Sequence, residues 1–326
     1  MATIKDVAKH SGVSVATVSR VLNGKGYVHE DTRKKVERSI QQLEYSPNEV
    51  ARSLYKKESR LIGLLLPDIT NPFFPQLARG VEDEIQRNGY HLLSGNSDEK
   101  TEKEIAYIQT FMQHNVVGLI SASNHVARDY YNGIEIPKVF LDRCEEGLYC
   151  VYSDGFEGGR MAAEEILKRG SRNITLLKGP ANVKPAQERF QGALDILASS
   201  SVDFHVVNTP SFSFEYAKER AYELFSTYPD SDGIIASNDI TAAAVLHEAL
   251  RLGKKIPEEV QIIGYDDIPQ SSLLFPALST IRQPTYDMGV AAAKMLLQKI
   301  RKQSVVEQHV KMPVTFMERN TTRKVK

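Results

Sequence analysis

The sequence predicts an α/β protein built in two parts. A small helical head with a helix-turn-helix arrangement is joined through a short hinge helix to a two-lobed core of doubly wound parallel sheets. Three observations point there. Apolar residues recur at i, i+3 and i+4 through residues 4–44. From residue 61 short apolar runs alternate with helical stretches, with a break at about 155. Charge is divided along the same line: residues 1–60 hold 12 Lys and Arg against 7 Asp and Glu, leaving 29 against 34 for the rest. The net charge of zero therefore hides a basic head on an acidic body, and the head alone suits an anionic partner.

The bulk composition narrows the class. At 326 residues, 41% hydrophobic and 25% charged, the chain is long enough for a sizeable core and ordinary for a globular protein. No apolar run approaches the roughly 20 residues that span a bilayer, and the N-terminus lacks a signal-like core. A cytoplasmic location with no membrane partner is expected. Cys144 and Cys150 are too few for a disulfide framework, and "CEEGLYC" lacks metal-site spacing. With the histidines scattered, neither a metal nor a cofactor is expected.

Three helices fit the head. Ile4, Val7 and Ala8 share one face of the first. Gly12 suits the turn, Val13 plugs the core, and Ser14 is a good N-cap for the second. Val18, Val21 and Leu22 face inward there, which leaves Val15, Ala16, Ser19 and Arg20 outside. A third helix, from about Thr32 to Leu43, turns Val36, Ile40 and Leu43 inward. The outer face of the second helix fits a major groove, where Arg reads guanine and methyl-sized groups touch thymine. Thr3, Ser14, Thr17 and Asn23 are suitable phosphate contacts. After the head, Ser46, Pro47 and Glu49 form a capping box with a favoured proline. The helix so started lasts about two turns before "KKESR", too short to be stable alone, and Leu54 near its end has no core to enter.

In the core, strands are expected at "LIGLLLP", "YHLLSG", "VVGLIS", "KVFLD", "NITLLKG", "DFHVVN", "DGIIAS" and "VQIIGYD", with helices between them. Ligands of such sheets bind beyond the carboxyl ends of strands, here in the cleft between lobes. Polar and aromatic residues recur at those ends: Asn71, Phe73 and Phe74; Asp142 and Arg143; Arg189; Phe212, with Phe214 as an alternative; Asn238; Asp266; Gln283. Carboxylate, amide and guanidinium groups pair with vicinal hydroxyls, and aromatic rings cover the C–H face of a sugar. The chemistry is that of a carbohydrate site. Singly, each residue also fits a structural role; Asp239 in particular is expected to cap the helix that follows it.

The stretch from Asp6 to Asn23 reproduces "D-V-A-x-x-x-G-V-S-x-x-T-V-S-R-x-L-N", and the head resembles that of the LacI/galactose-repressor family. The body is similar to periplasmic sugar-binding proteins of the pentose and hexose class, nearest to the ribose binder. It carries "NPFF", "LDR" at 141–143, "QERF" at 187–190, "SND" at 237–239, "GYD" at 264–266 and "RQP" at 282–284. Over essentially the whole chain, the resemblance implies a regulator that binds a pseudopalindromic operator as a homodimer and takes D-ribose as effector. It implies that Leu54 wedges into the minor groove at a central step. It also implies three crossings between lobes. The head is then 1–46, the hinge 47–60 and the core 61–326, with one lobe of about 61–154 plus 286–310 and the other of about 155–285 plus 311–326. Purine-responsive and catabolite-control relatives share the fold without being expected to keep all the ribose-reading positions. Against a glycosidase pair of Asp142 and Asp266, both have hydrogen-bonding neighbours by type and no Glu in an apolar setting stands out as general acid, so no catalytic residue is expected. A transport receptor would not carry the head. Ribose is expected to close the cleft and release the operator, with action through a corepressor as the alternative.

Overall fold

The structure is a computed structural model that describes residues 2–24, 26–45, 59–123, 128–144 and 147–325. The chain divides into two compact units, Met1–Ser59 and Arg60–Lys326. The expected capping box at 46–49 and the candidate Leu54 lie outside the described residues.

The first unit contains α1 (Ile4–Ser11), α2 (Val15–Asn23) and α3 (Glu30–Gln42). Thr3 and Asp6 form a reciprocal capping box: Thr3 N–H donates to Asp6 Oδ2 at 2.8 Å, and Asp6 N–H to Thr3 Oγ1 at 3.3 Å. Gly12, at φ 69°, makes the left-handed turn out of α1. The Ser14 hydroxyl then accepts Thr17 N–H at 3.1 Å and starts α2. Val7, Ala8, Val18, Val21 and Val36 form the core, with Ile4, Val13, Leu22, Ile40 and Leu43 packed around it. Helix α3 begins two residues before the expected Thr32, because His29 Nδ1 accepts Asp31 N–H at 3.4 Å and caps it earlier.

The second unit holds two six-stranded sheets. The first contains β1 (Leu61–Leu66), β2 (His91–Asn96), β3 (Gly118–Ser121), β4 (Lys138–Leu141), β5 (Cys150–Ser153) and β11 (His309–Met312). Its order is β11-β5-β4-β3-β1-β2, and every pairing is parallel. The second contains β6 (Asn173–Lys178), β7 (Asp203–Asn208), β8 (Gly233–Ile235), β9 (Gln261–Asp266), β10 (Ser279–Arg282) and β12 (Thr315–Met317). Its order is β12-β10-β9-β8-β6-β7, with β12 antiparallel to β10. Among the described residues, helices α4 (Phe73–Arg87), α5 (Thr101–Gln113) and α6 (Arg128–Asn132) follow β1, β2 and β3 of the first sheet; α7 (Gly155–Lys168) follows β5 and leads into the second, where α8 (Lys184–Ala198), α9 (Phe214–Thr227) and α10 (Asp239–Arg251) follow β6, β7 and β8. The central strands, β1, β3 and β4 in one sheet and β6, β8 and β9 in the other, are buried on both faces, the pattern of covered parallel sheets.

Helix α11 (Thr285–Ile300) comes late in the chain yet belongs to the first lobe. Its Met288, Ala292, Ala293, Leu296 and Leu297 share one core with Ile62, Leu64, Phe73, Leu77 and Val81. Two details differ from the sequence expectation. The final stretch of the second lobe was expected from about residue 311, but His309–Met312 pairs with β5 in the first. Pro313 supplies no N–H for a ladder and ends that strand, so the chain crosses only after Met312. The cysteines differ as well. Phe140 of β4 lies opposite Cys150 of β5, which brings Cys144 beside Cys150, with Cα atoms 5.7 Å apart and the sulfurs joined as a disulfide.

Close helix contacts set the lobe cores. A Cβ on Gly289 of α11 would lie 2.2 Å from Leu77 O and 2.9 Å from Val81 N on α4. In the other lobe a Cβ on Gly192 of α8 would lie 1.9 Å from Phe156 O on α7. Gly289→Ala is therefore expected to force α11 and α4 apart, at a cost of about 1–3 kcal/mol, seen as a thermal midpoint several degrees lower; an unchanged midpoint would show that the contact gives way freely. In the head, Ser14→Ala removes the cap of α2 and is expected to cost roughly 1 kcal/mol, measurable by helical circular dichroism of the full chain through the first melting transition.

Candidate functional site: a cleft between the lobes

In each sheet the first strand lies between its two successors, in the orders 2-1-3 and 7-6-8, and the crevice opens at those switch points. Asn71, Phe73, Phe74, Asp142 and Arg143 from one lobe meet Val183, Pro185, Ala186, Arg189, Phe212, Asn238 and Asp266 from the other around one narrow space. Nine of the ten residues expected from the sequence line this space. Gln283 does not.

The aromatic pair lines the space from an unexposed position. Phe73 and Phe74 open helix α4 and are only 3% and 6% exposed, packed edge-to-face at 5.1 Å against the first-lobe core. Asn71 arranges this: its Oδ1 accepts Phe73 N–H at 3.1 Å and its carbonyl accepts Phe74 N–H at 3.1 Å. Across the cleft Phe212 lines the site, while the alternative Phe214 is 64% exposed on α9.

Four charged side chains are buried here. Arg143 is held by Glu99, with Nη1 to Oε2 at 2.7 Å and a second contact from Nη2 to Oε1. Arg189 lies over the Tyr265 ring at 3.9 Å, approaches Asp266 Oδ1 at 3.4 Å and donates from Nη1 to Ser237 O at 3.2 Å. Burial raises the pKa of Asp142, against the pull of Arg189 and then Arg143. Burial likewise pushes Asp266 up to about 7, opposed by Arg189 and the Gln283 hydrogen bond and reinforced by Asp142. Burial works against the Arg189 charge, but Asp266, Tyr265 and Asp142 together keep its pKa above the ordinary value.

Asn238 and Arg189 each bring a buried donor that meets no acceptor among the described residues. Asn238 Oδ1 accepts Thr241 N–H at 2.9 Å and caps α10, which fixes the amide and leaves its buried Nδ2 without a partner. Arg189 Nε is also buried and unpartnered. Gln283 stands one layer back. Its Nε2 donates to Asp266 Oδ1 at 2.7 Å, and its Oε1 accepts from Ser153 Oγ of the other lobe.

Sequence reasoning missed Glu99, Ser153 and Lys184, whose Nζ donates to Cys144 O at 3.1 Å across the cleft. Each acts through a partner distant in sequence, so no local pattern marks it. Asp239 was expected to cap α10, but Asn238 does so; Asp239 turns inward to Ile268 N–H, Ser271 and Thr280.

In the head, Val15, Ala16 and Arg20 are exposed on α2, and Thr17 and Ser19 are half-buried. The hydroxyls of Thr3 and Ser14 are engaged in the helix caps. Asn23 ends α2.

Comparison with known proteins agrees with both units. Residues 3–48 match the family described as bacterial regulatory proteins, lacI family. Residues 163–322 match the periplasmic binding protein-like domain. The ribose operon repressor of Bacillus subtilis (strain 168) is 62% identical over 324 residues, covering 99% of each chain. That of Lactococcus lactis subsp. lactis (strain IL1403) is 41% identical, covering 99% of this chain and 98% of that one. Among solved structures, the lac repressor dimer bound to operator and the anti-inducer ONPF matches with a TM-score of 0.90 at 25% identity, covering 98% of each chain. A LacI family transcriptional regulator from Enterococcus faecium with bound ribose matches with a TM-score of 0.73 at 32% identity, covering 82% of this chain and 100% of that one. With a helix-turn-helix head and a two-lobed core matched along nearly the whole length, the chain belongs to the lacI family of bacterial regulatory proteins and is a DNA-binding transcription regulator, not an enzyme.

Proposed function

We propose that the protein is a cytoplasmic, homodimeric repressor of a ribose uptake or utilisation operon, released from a pseudopalindromic operator when D-ribose binds the interlobe cleft. The observation that carries this reading is the pair of buried donors without acceptors, Asn238 Nδ2 and Arg189 Nε, in a cleft that also offers two carboxyl acceptors and phenylalanine rings from both lobes. A polyol supplies both acceptors and donors at adjacent carbons, and its ring face suits the aromatic walls. Two acids stand against two arginines, and Arg143 is already held by Glu99, so a phosphate would find little spare positive charge. The ribose operon repressors among the relatives and the ribose-bound structural neighbour point the same way.

The mechanism follows from linkage. Ribose bridges the two lobes and favours their closed arrangement; its effect on operator affinity equals its differential affinity for the two states. The outer face of α2, with Val15, Ala16, Ser19 and Arg20, reads the major groove, while Thr3, Ser14, Thr17 and Asn23 contact phosphates. Leu54 serves as the minor-groove wedge, and paired wedges and half-sites require a two-fold dimer.

Calorimetric titration is expected to give saturable heat with D-ribose and none with ribose 5-phosphate or a purine base. Asp266→Ala removes a charged hydrogen-bond partner worth about 1.5–3 kcal/mol, so affinity should fall ~10- to 100-fold. Heat from another ligand alone would keep the regulator and discard ribose. Sugar hydroxyls donate to the ionised form of Asp266, so below its pKa of about 7 protonation competes with ribose. Affinity is expected to weaken severalfold from pH 8 to pH 6; a flat profile would mean that Asp266 does not accept from the sugar. In a gel-shift assay ribose should loosen operator binding, and tightening would reverse the assigned sign.

A further inference from the structure

The carboxyl group of Asp239 is fully buried, stands beside the sugar-site residue Asn238 and touches none of the space where a sugar would lie. Its three partners all lie elsewhere. Oδ2 accepts Ile268 N–H at 2.9 Å and the Ser271 hydroxyl at 2.6 Å, and Oδ1 accepts the Thr280 hydroxyl at 2.6 Å. Gly264 of β9 makes room for it: a Cβ there would lie 2.2 Å from Asp239 Oδ1. Two residues on, the same strand ends in Asp266. Asp239 thus sits between both second-lobe residues that would grip the ligand and the segment that follows β9.

That segment, 267–278, is tied down at its base and bare at its tip. Asp267 is held by Arg282 Nε and Arg319 Nη2, each at 2.6 Å. Residues 269–272 form a 3₁₀ turn, fixed by Asp239 and by Leu278 N–H donating to Ser271 O at 2.9 Å. Beyond it Leu273 is 82% exposed and Phe275 is 93% exposed.

We propose that Asp239 is a positioning residue that transmits occupancy of the cleft to the exposed Leu273–Phe275 tip, through the hydrogen bonds to Ile268 and Ser271. A ligand acts on it from two sides. Hydrogen bonding to Asn238 Nδ2 pulls on the residue directly preceding Asp239 at the start of α10. Hydrogen bonding to Asp266 changes the field of the neighbouring carboxyl, which already helps burial push Asp239 up to about 8. Three donors converge on Asp239 with no water between, so a small shift of the carboxyl moves the turn rather than being absorbed by solvent. The inference rests on the ribose reading of the cleft and adds its output path.

The test exploits the absence of tryptophan from the sequence. Phe275→Trp places a single tryptophan on the tip, excited selectively over the 14 tyrosines, and ribose is titrated into the full-length protein by calorimetry and by emission in parallel. The expected result is a saturable emission shift tracking the heat. In Asp239→Asn and, separately, Ser271→Ala, each in the Phe275→Trp background, ribose affinity should stay within about threefold, while the shift is lost in the first and reduced in the second. The ribose-induced drop in operator affinity should shrink at least tenfold with it. Ser271→Ala keeps the Thr280 and Ile268 bonds, so it reports on the link even where Asp239→Asn fails to fold. Heat without any emission shift in the parent, or a full shift and full operator release in Ser271→Ala, would overturn the coupling. Absence of heat in the parent would instead remove the ribose reading, and the coupling with it.

Discussion

Two carboxyl groups and two guanidinium groups are kept from water where the carboxyl ends of two sheets face each other, and much of the core is arranged around making that tolerable. An unpaired buried charge costs several kcal/mol or shifts its pKa until it is neutral. Here Glu99 holds Arg143, Tyr265 and Asp266 hold Arg189, and Gln283 braces Asp266 while reaching Ser153 in the other lobe. The balance draws on both lobes, since Arg189 is the largest opposing influence on Asp142 as well as on Asp266. Closure of the lobes and the electrostatics of the cleft are therefore one problem.

The amide of Asn238 shows how the scaffold and the site share a residue. By capping α10 it satisfies an orphan helix N–H, and the same bond fixes the rotamer that leaves Nδ2 over the cleft. Asn71 does comparable work at α4, accepting Phe73 N–H while lining the space beside the aromatic pair. Side chains held in this way lose little freedom when a ligand arrives, which favours affinity at fixed contact. Each lobe places one such amide at the start of a helix, where the backbone geometry is most reproducible.

The sequence made much of this legible because much of it is local. Apolar spacing in the head, strand runs such as Leu61–Leu66, and the polar residues just past each strand depend on neighbours within a few positions. What stayed hidden depends on distant pairing. The strand Cys150–Ser153 is four residues long and has little pattern of its own; its neighbours β4 and β11 define it. The Cys144–Cys150 link follows from that pairing, not from cysteine count. Gln283 was identified by type yet lies behind Asp266, a distinction of one contact that position after a strand does not encode. Asp239 was misassigned for a similar reason: two polar residues in succession both suit a cap, and only the distant Ser271 and Thr280 decide which one turns inward.

Helix α11 supplies Met288, Ala292, Leu296 and Leu297 to a core otherwise made of residues 62–151, and β11 adds an edge strand after it. During synthesis the first lobe emerges from the ribosome long before these pieces do. Until about residue 312 is available, one face of its sheet and the groove along α4 lack their covering, while the second lobe between them has nearly all of its strands. The half of the core that begins first is thus the half that must finish late, and the order of its completion is set by where the chain crosses.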